Sequence, residues 1–162
     1  MNSYLQNFNF SIILTACINP VGMPFLLRNS TNDRLSDYKN AFRKWCNNSL
    51  VQKIIFIENS GYDLTFFVDE AKKFPKKEIE IISNNLNNTF EKKLGKGYGE
   101  FLCLKEVFVN STITKNTEYF LKITGRYYLK NFNKLYYEFK ENKSDIQIYL
   151  KNLVSYNVFS KD

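Results

Sequence analysis

An open, mostly parallel α/β sheet with flanking helices is the architecture this sequence predicts. Three observations carry it. Short apolar runs rich in β-branched residues each stop abruptly at polar, turn-forming residues; apolar residues at helical spacing fill the intervals between them; and no repeat, low-complexity linker or charge block breaks the alternation. With 162 residues, 44% of them hydrophobic, the chain has material for one sizeable core and is short for two, so residues 1–162 are read as a single domain.

After a polar start, Phe10 to Ile18 is a continuous apolar stretch closed by Asn19 and Pro20, the pattern of a strand buried on both faces of a parallel sheet. Pro20 to Arg28, with Gly22 and Pro24, reads as a loop. From Arg34 to Trp45, the positions Leu35, Tyr38, Ala41, Phe42 and Trp45 recur at helical spacing and predict an amphipathic helix with its basic residues outward. Lys53 to Ile57 is a second strand, stopped by Glu58-Asn59-Ser60-Gly61. Asp63 to Phe74 predicts a short helix, and Lys77 to Ile82 a third strand ending in Ser83-Asn84-Asn85. Gly95-Lys-Gly-Tyr-Gly-Glu100 reads as a glycine loop feeding a helix over Phe101 to Val109. Tyr119 to Thr124 is a fourth strand stopped by Gly125-Arg126, Asn131 to Phe139 another helix, and Asp145 to Leu150 a last strand.

Composition limits the chemistry. The chain has no histidine, which removes Ser-His and Cys-His nucleophiles and the commonest metal ligand, and leaves carboxylates, Lys and Tyr for proton transfer. Cys17, Cys46 and Cys103 are odd in number and widely spaced, as expected of buried thiols in a reducing, cytoplasmic compartment. A net charge of +7 favours anionic partners and is compatible with peripheral contact at the inner face of a membrane. The run from Phe10 is too short to span a bilayer and has no basic residue before it, unlike a signal peptide.

Ligands of open α/β sheets gather at the carboxyl ends of the strands, so the residues that follow each apolar run are the candidates for function. They are Thr15, Ala16 and Cys17; Glu58, Asn59, Ser60 and Gly61; Ser83, Asn84 and Asn85; and Lys122, Ile123, Thr124, Gly125 and Arg126. Glu58 is suited to ribose hydroxyls or a base N–H, although the same residues suit a helix N-cap and turn, which spacing alone favours. Lys96, Gly97 and Tyr98 combine backbone freedom, a cation and a helix start, an arrangement that receives diphosphate, and a solvated glycine loop explains them equally well. Strand alternation puts Lys122, Thr124 and Arg126 on one side, where two cations converge on one anion; a Lys inside Phe-Leu-Lys-Ile is costly to bury without a partner. The aromatic and basic residues from Arg126 to Lys140 suggest a nucleic-acid surface, but core packing accounts for the aromatics more simply and no nucleic-acid-binding motif accompanies them.

The order of these pieces resembles GT-A-type glycosyltransferases, in particular small bacterial capsule or lipopolysaccharide sugar transferases, over most of the chain from Phe10 to about Tyr137. Ile12 to Ala16 looks like the first strand and nucleobase loop, Ile55 to Asp63 like the second strand with its nucleoside-contacting acidic turn, and Gly95 to Glu100 like the helix start near the donor sugar. The resemblance implies transfer of a sugar from a nucleoside diphosphate sugar to a glycan or lipid-linked acceptor in surface polysaccharide synthesis. Thr15, Glu58 and Asn59 would hold the nucleoside, Lys96, Lys122 and Arg126 the diphosphate, with Arg34 within reach of the phosphates and Glu100 as acid or base. A non-catalytic nucleotide-sugar-binding or regulatory domain is the alternative. Two departures qualify the likeness. Phe120 to Arg126 carries no Asp-x-Asp where such enzymes bind Mn²⁺ or Mg²⁺, so Lys122 and Arg126 are expected to take over the metal's charge, with no cofactor required. Such enzymes also continue into an acceptor-binding segment, which makes this chain minimal, truncated or completed by another polypeptide.

Overall fold

The computed structural model describes residues 8–24, 26–141, 147–151 and 157–161. The chain divides into two compact units, Met1–Tyr128 and Leu129–Asp162. Phe25, inside the loop expected from Pro20 to Arg28, and Asp145 and Ile146, at the start of the last expected strand, lie outside the described residues.

The first unit runs β1 (Phe10–Ala16), α1 (Thr31–Asn47), β2 (Lys53–Glu58), α2 (Thr65–Ala71), β3 (Glu78–Ser83), α3 (Gly95–Asn110), α4 (Thr112–Lys115) and β4 (Tyr119–Thr124). Its four strands form one all-parallel sheet in the order β3-β2-β1-β4. The sheet explains the sequence pattern. Every residue of β1 is buried, as is all of β2 after Lys53, because both strands are covered on both faces; β2 carries charge only at its two ends, Lys53 and Glu58, whereas the outer strands carry it in their interiors, as in Glu80 of β3 and Lys122 of β4.

Alternation divides the strand residues between two layers. On one face Ile13, Ile55 and Ile57 pack with Cys103 and Val107 of α3 and Ile113 of α4. On the other, Phe56 stacks on Phe67 of α2 at 4.3 Å and meets Phe42 of α1 edge-on at 5.5 Å, with Tyr38 also edge-on. Each such side chain contributes about 1.5–3 kcal/mol through burial. Glu70 ties α2 to α1: Lys73 and Arg43 pair with it at 3.0 and 3.3 Å, and the Lys73 hydrogen bond, aided by Arg43, holds its carboxyl below the usual range against the opposing effect of burial.

Two boundaries differ from the sequence reading for local reasons. The first helix begins at Thr31 rather than Arg34, because the Ser30 hydroxyl caps it by accepting from the Asp33 N–H. The expected glycine loop is instead the first turn of α3. Gly95, at φ +78°, takes a conformation open to glycine and turns the chain from the 3₁₀ turn Lys92–Leu94 directly into the helix.

In the second unit, α5 (Phe132–Glu141) precedes β5 (Gln147–Lys151) and β6 (Asn157–Lys161), which pair antiparallel as a separate two-stranded ladder. The last expected strand therefore forms a hairpin partner, and β6 has no counterpart in the sequence reading. Among the described residues no helix is long and apolar enough to cross a membrane.

Candidate functional site

From β1 the chain steps to β2 and then β3 toward one edge of the sheet, and returns through α3 to place β4 on the other side of β1. Strand order therefore reverses between β1 and β4. Loops leaving neighbouring strands diverge at such a point and open a crevice beyond the carboxyl ends. The residues there are Thr15 and Thr124, opposite one another in register. Their hydroxyls both donate to Oε1 of Glu100, at 3.4 and 3.2 Å, and Lys122 Nζ lies 2.7 Å from Oε2 of the same carboxylate. Lys122 shares the face of Thr124 because the two are separated by one residue of strand. Glu100 is the partner that a lysine inside an apolar strand requires. Its side chain is 39% exposed and that of Lys122 31%, so the cluster is open to a solute.

Other sequence-expected residues build the walls. Glu58 is 0% exposed, and its carboxylate faces the loops: Oε1 accepts from the Ile18 N–H at 2.8 Å and from the Ser60 hydroxyl, while Oε2 accepts from the N–H groups of Ser60 and Tyr62, both at 3.0 Å. It acts as the turn anchor that spacing favours, with its oxygens occupied. Ser60 Oγ accepts from the Asn19 N–H and so links the loops after β1 and β2. Buried Arg34 donates to the Cys17 carbonyl at 2.8 and 2.5 Å, to the Arg28 carbonyl at 3.1 Å and to the Tyr38 hydroxyl at 3.2 Å. Its guanidinium holds the loop after β1 in place. The Ala16 carbonyl accepts from Asn59 N–H, and Asn59 in turn reaches α3 through a 3.5 Å contact from Nδ2 to the Gly99 carbonyl.

Lys96, Gly97 and Tyr98 occupy the first turn of α3, where a Cβ on Gly97 would meet nothing within 4 Å, and Tyr98 packs edge-on against Phe90. Gly125 N–H extends the β1–β4 ladder by donating to the Thr15 carbonyl at 2.8 Å. A Cβ on Gly125 would lie 3.1 Å from that carbonyl oxygen and 3.3 Å from Tyr38 Cδ1. Gly125→Ala should therefore force the two strand ends apart and cost about 1–3 kcal/mol in urea unfolding; an unchanged midpoint would mean that the strand ends separate freely. The Arg126 guanidinium lies over the Tyr127 ring at 5.4 Å, whereas Lys122 is engaged by Glu100, so the two cations do not share a partner in this state.

Sequence reasoning passed over Tyr38, Asn87 and Lys92. The Tyr38 hydroxyl accepts from the Cys17 N–H at 3.0 Å, but the residue reads as ordinary helical core. Asn87, whose N–H donates to the Asn59 carbonyl at 2.7 Å, lies in the Asn-rich segment after β3, and that enrichment was the available signal. Lys92 carries no signal in the sequence. The Cys17 thiol, immediately after β1, is pushed up to about 11 by burial, with Glu58 adding to the rise and Arg34 and Lys92 opposing it, so it is protonated at neutral pH and not a nucleophile. Among the described residues no group of three or more Cys, Asp or Glu is placed to hold a metal ion. Tyr128, from the aromatic segment, packs against Trp45 with ring centres 4.6 Å apart and the rings tilted by 56°, and the Tyr127 carbonyl accepts from Trp45 Nε1 at 2.9 Å, so these two help close the core.

The strand order and the polar cluster define a parallel α/β sheet with Thr15, Glu100, Lys122 and Thr124 gathered at the switch point. No protein-family model matches the chain, and neither a curated protein nor a solved structure matches it.

Proposed function

We propose that this protein binds a nucleoside diphosphate sugar at the crevice between β1 and β4 and transfers the sugar to a hydroxyl of a glycan or lipid-linked acceptor, on a fold of the GT-A kind. The observation that supports this reading most is the convergence of Thr15, Glu100, Lys122 and Thr124 at the one place where strand order reverses.

The chemistry follows from their charges. The acceptor oxygen attacks the anomeric carbon, the bond from that carbon to the diphosphate breaks, and the diphosphate leaves with the electron pair. The acceptor's proton passes to the Glu100 carboxylate, whose orientation is held by the two threonine hydroxyls. Protonation dissolves the ion pair with Lys122, and the freed ammonium, with Arg126 beyond the end of β4, meets the new charge on the leaving diphosphate.

Thermal-shift measurements with UDP-, GDP-, CMP- and dTDP-sugars, with and without Mn²⁺, test the reading, since a ligand of the native state raises its melting temperature. One nucleotide class should stabilise the protein and lose that effect in Arg126→Ala, and product should then form with an acceptor. Binding without transfer or hydrolysis would make the domain a non-catalytic receptor for the nucleotide, and no stabilisation by any of them would sink the proposal.

A further inference from the structure

Buried polar atoms in a folded chain nearly always find a partner, so the position of those that do not is informative. Among the described residues, eight buried side-chain nitrogen or oxygen atoms have no hydrogen-bond partner within the chain. Six of them, on Asn59, Asn84, Asn87, Lys92 and Arg126, belong to residues that follow the carboxyl ends of β2, β3 and β4. Four of the six are donors: the amide nitrogens of Asn84 and Asn87, Lys92 Nζ and Arg126 Nε. Three of those four lie in the single segment after β3. Asn87 is only 1% exposed, and neither end of its amide is satisfied.

Lys92 has the most to gain from a partner. Its Nζ is enclosed, 4.7 Å from the centre of the Phe90 ring, and has no carboxylate beside it. Its stem lies along the loop that follows β1, where a Cβ on Gly22 would be 3.5 Å from Lys92 Cγ and 3.6 Å from Cε. Lys92 thus sits over the same end of the sheet as the Thr15–Glu100 cluster. A ring face compensates an enclosed ammonium only in part, and an anion compensates it fully.

We infer that the segment Asn84 to Lys92 holds a phosphate group of the ligand, with Lys92 as its cation and the buried Asn amides as further donors. This moves the phosphate contact from Lys96, on the exposed first turn of α3, to a lysine that the fold has already desolvated. The identity of the anion as the diphosphate of a nucleotide rests on the function proposed above; the anion site itself rests on the unpartnered donors.

The test is calorimetric titration of wild type, Lys92→Met, Lys92→Gln and the surface control Lys105→Met with pyrophosphate, UDP, GDP, uridine and guanosine. The diphosphates should bind wild type and the control alike, and lose about tenfold or more in affinity in both Lys92 variants. The melting temperature of the ligand-free variants should stay level or rise, because an unpaired buried charge is gone. A Lys92 variant that folds and binds the diphosphates as wild type does overturns the inference, as does failure of every diphosphate to bind wild type. Pyrophosphate bound through Lys92, with UDP and GDP no tighter, supports the anion site and removes the nucleotide from the proposed function. A nucleotide sugar turned over normally by Lys92→Met leaves that function standing and overturns the role of Lys92.

Discussion

Replacing Glu58 with alanine should lower the stability of the fold by about 4 kcal/mol. The carboxylate accepts from three backbone N–H groups, those of Ile18, Ser60 and Tyr62, and from the Ser60 hydroxyl, at a position with no exposure to solvent. Each buried donor left without a partner costs about 1–3 kcal/mol, reduced to the extent that water enters the space vacated. For a chain of this size, the total corresponds to a fall of about 10 °C in melting temperature. Glu58→Gln should fall in between, because it keeps one acceptor oxygen and turns an NH₂ group toward N–H donors. Urea and thermal unfolding of both variants measure this. A loss below about 1 kcal/mol in the alanine variant would show that the loops after β1 and β2 hold their shape without the carboxylate.

Glu100→Gln should behave in the opposite way. The Lys122–Glu100 pair is about a third exposed on each side, and pairs of that kind contribute up to about 1 kcal/mol, so the melting temperature should move by only a few degrees. If Glu100 takes the acceptor's proton, turnover should fall by about 10²–10⁴-fold, because the amide cannot act as a base. The measurement is product formation with the nucleotide sugar that stabilises the wild type, at saturating donor. Turnover within about threefold of wild type would remove Glu100 from the chemistry and leave it as a partner for Lys122. The two glutamates separate structure from function: one loss appears in unfolding, the other in the rate.

Much of the fold was legible because the central strands are covered on both faces. That burial writes apolar runs at Phe10–Ala16 and at Ile54–Ile57 within the second strand, and the switch to partial exposure writes the alternation at Glu78–Ser83. The start of α3 was misread because three glycines in five residues normally mark a loop; here Gly95 makes the turn and Gly99 admits Phe90 at 3.1 Å from where a Cβ would stand. The site was legible as a set of residue types at strand ends. Which of them would meet was not, since Arg34 and Glu58 carry the charge of ligand-binding groups yet are held by main-chain partners.

By itself the sequence determined the alternation of strands and helices, the polar ends of the strands, and a chemistry limited by the absence of histidine to carboxylates, Lys and Tyr. These are local properties, since periodicity and turn residues report only the surroundings of one segment. The tertiary structure alone decided the strand order, and with it the point between β1 and β4 where that order reverses. It also decided that Glu100 meets Thr15 across 85 residues of sequence and Thr124 across 24, that Glu58 turns its carboxylate to the backbone, and that Lys92 lies enclosed beside Gly22. Those outcomes depend on register between strands and on the packing of α3 over the sheet, and long-range pairing of that kind leaves no trace in the spacing of residues along the chain.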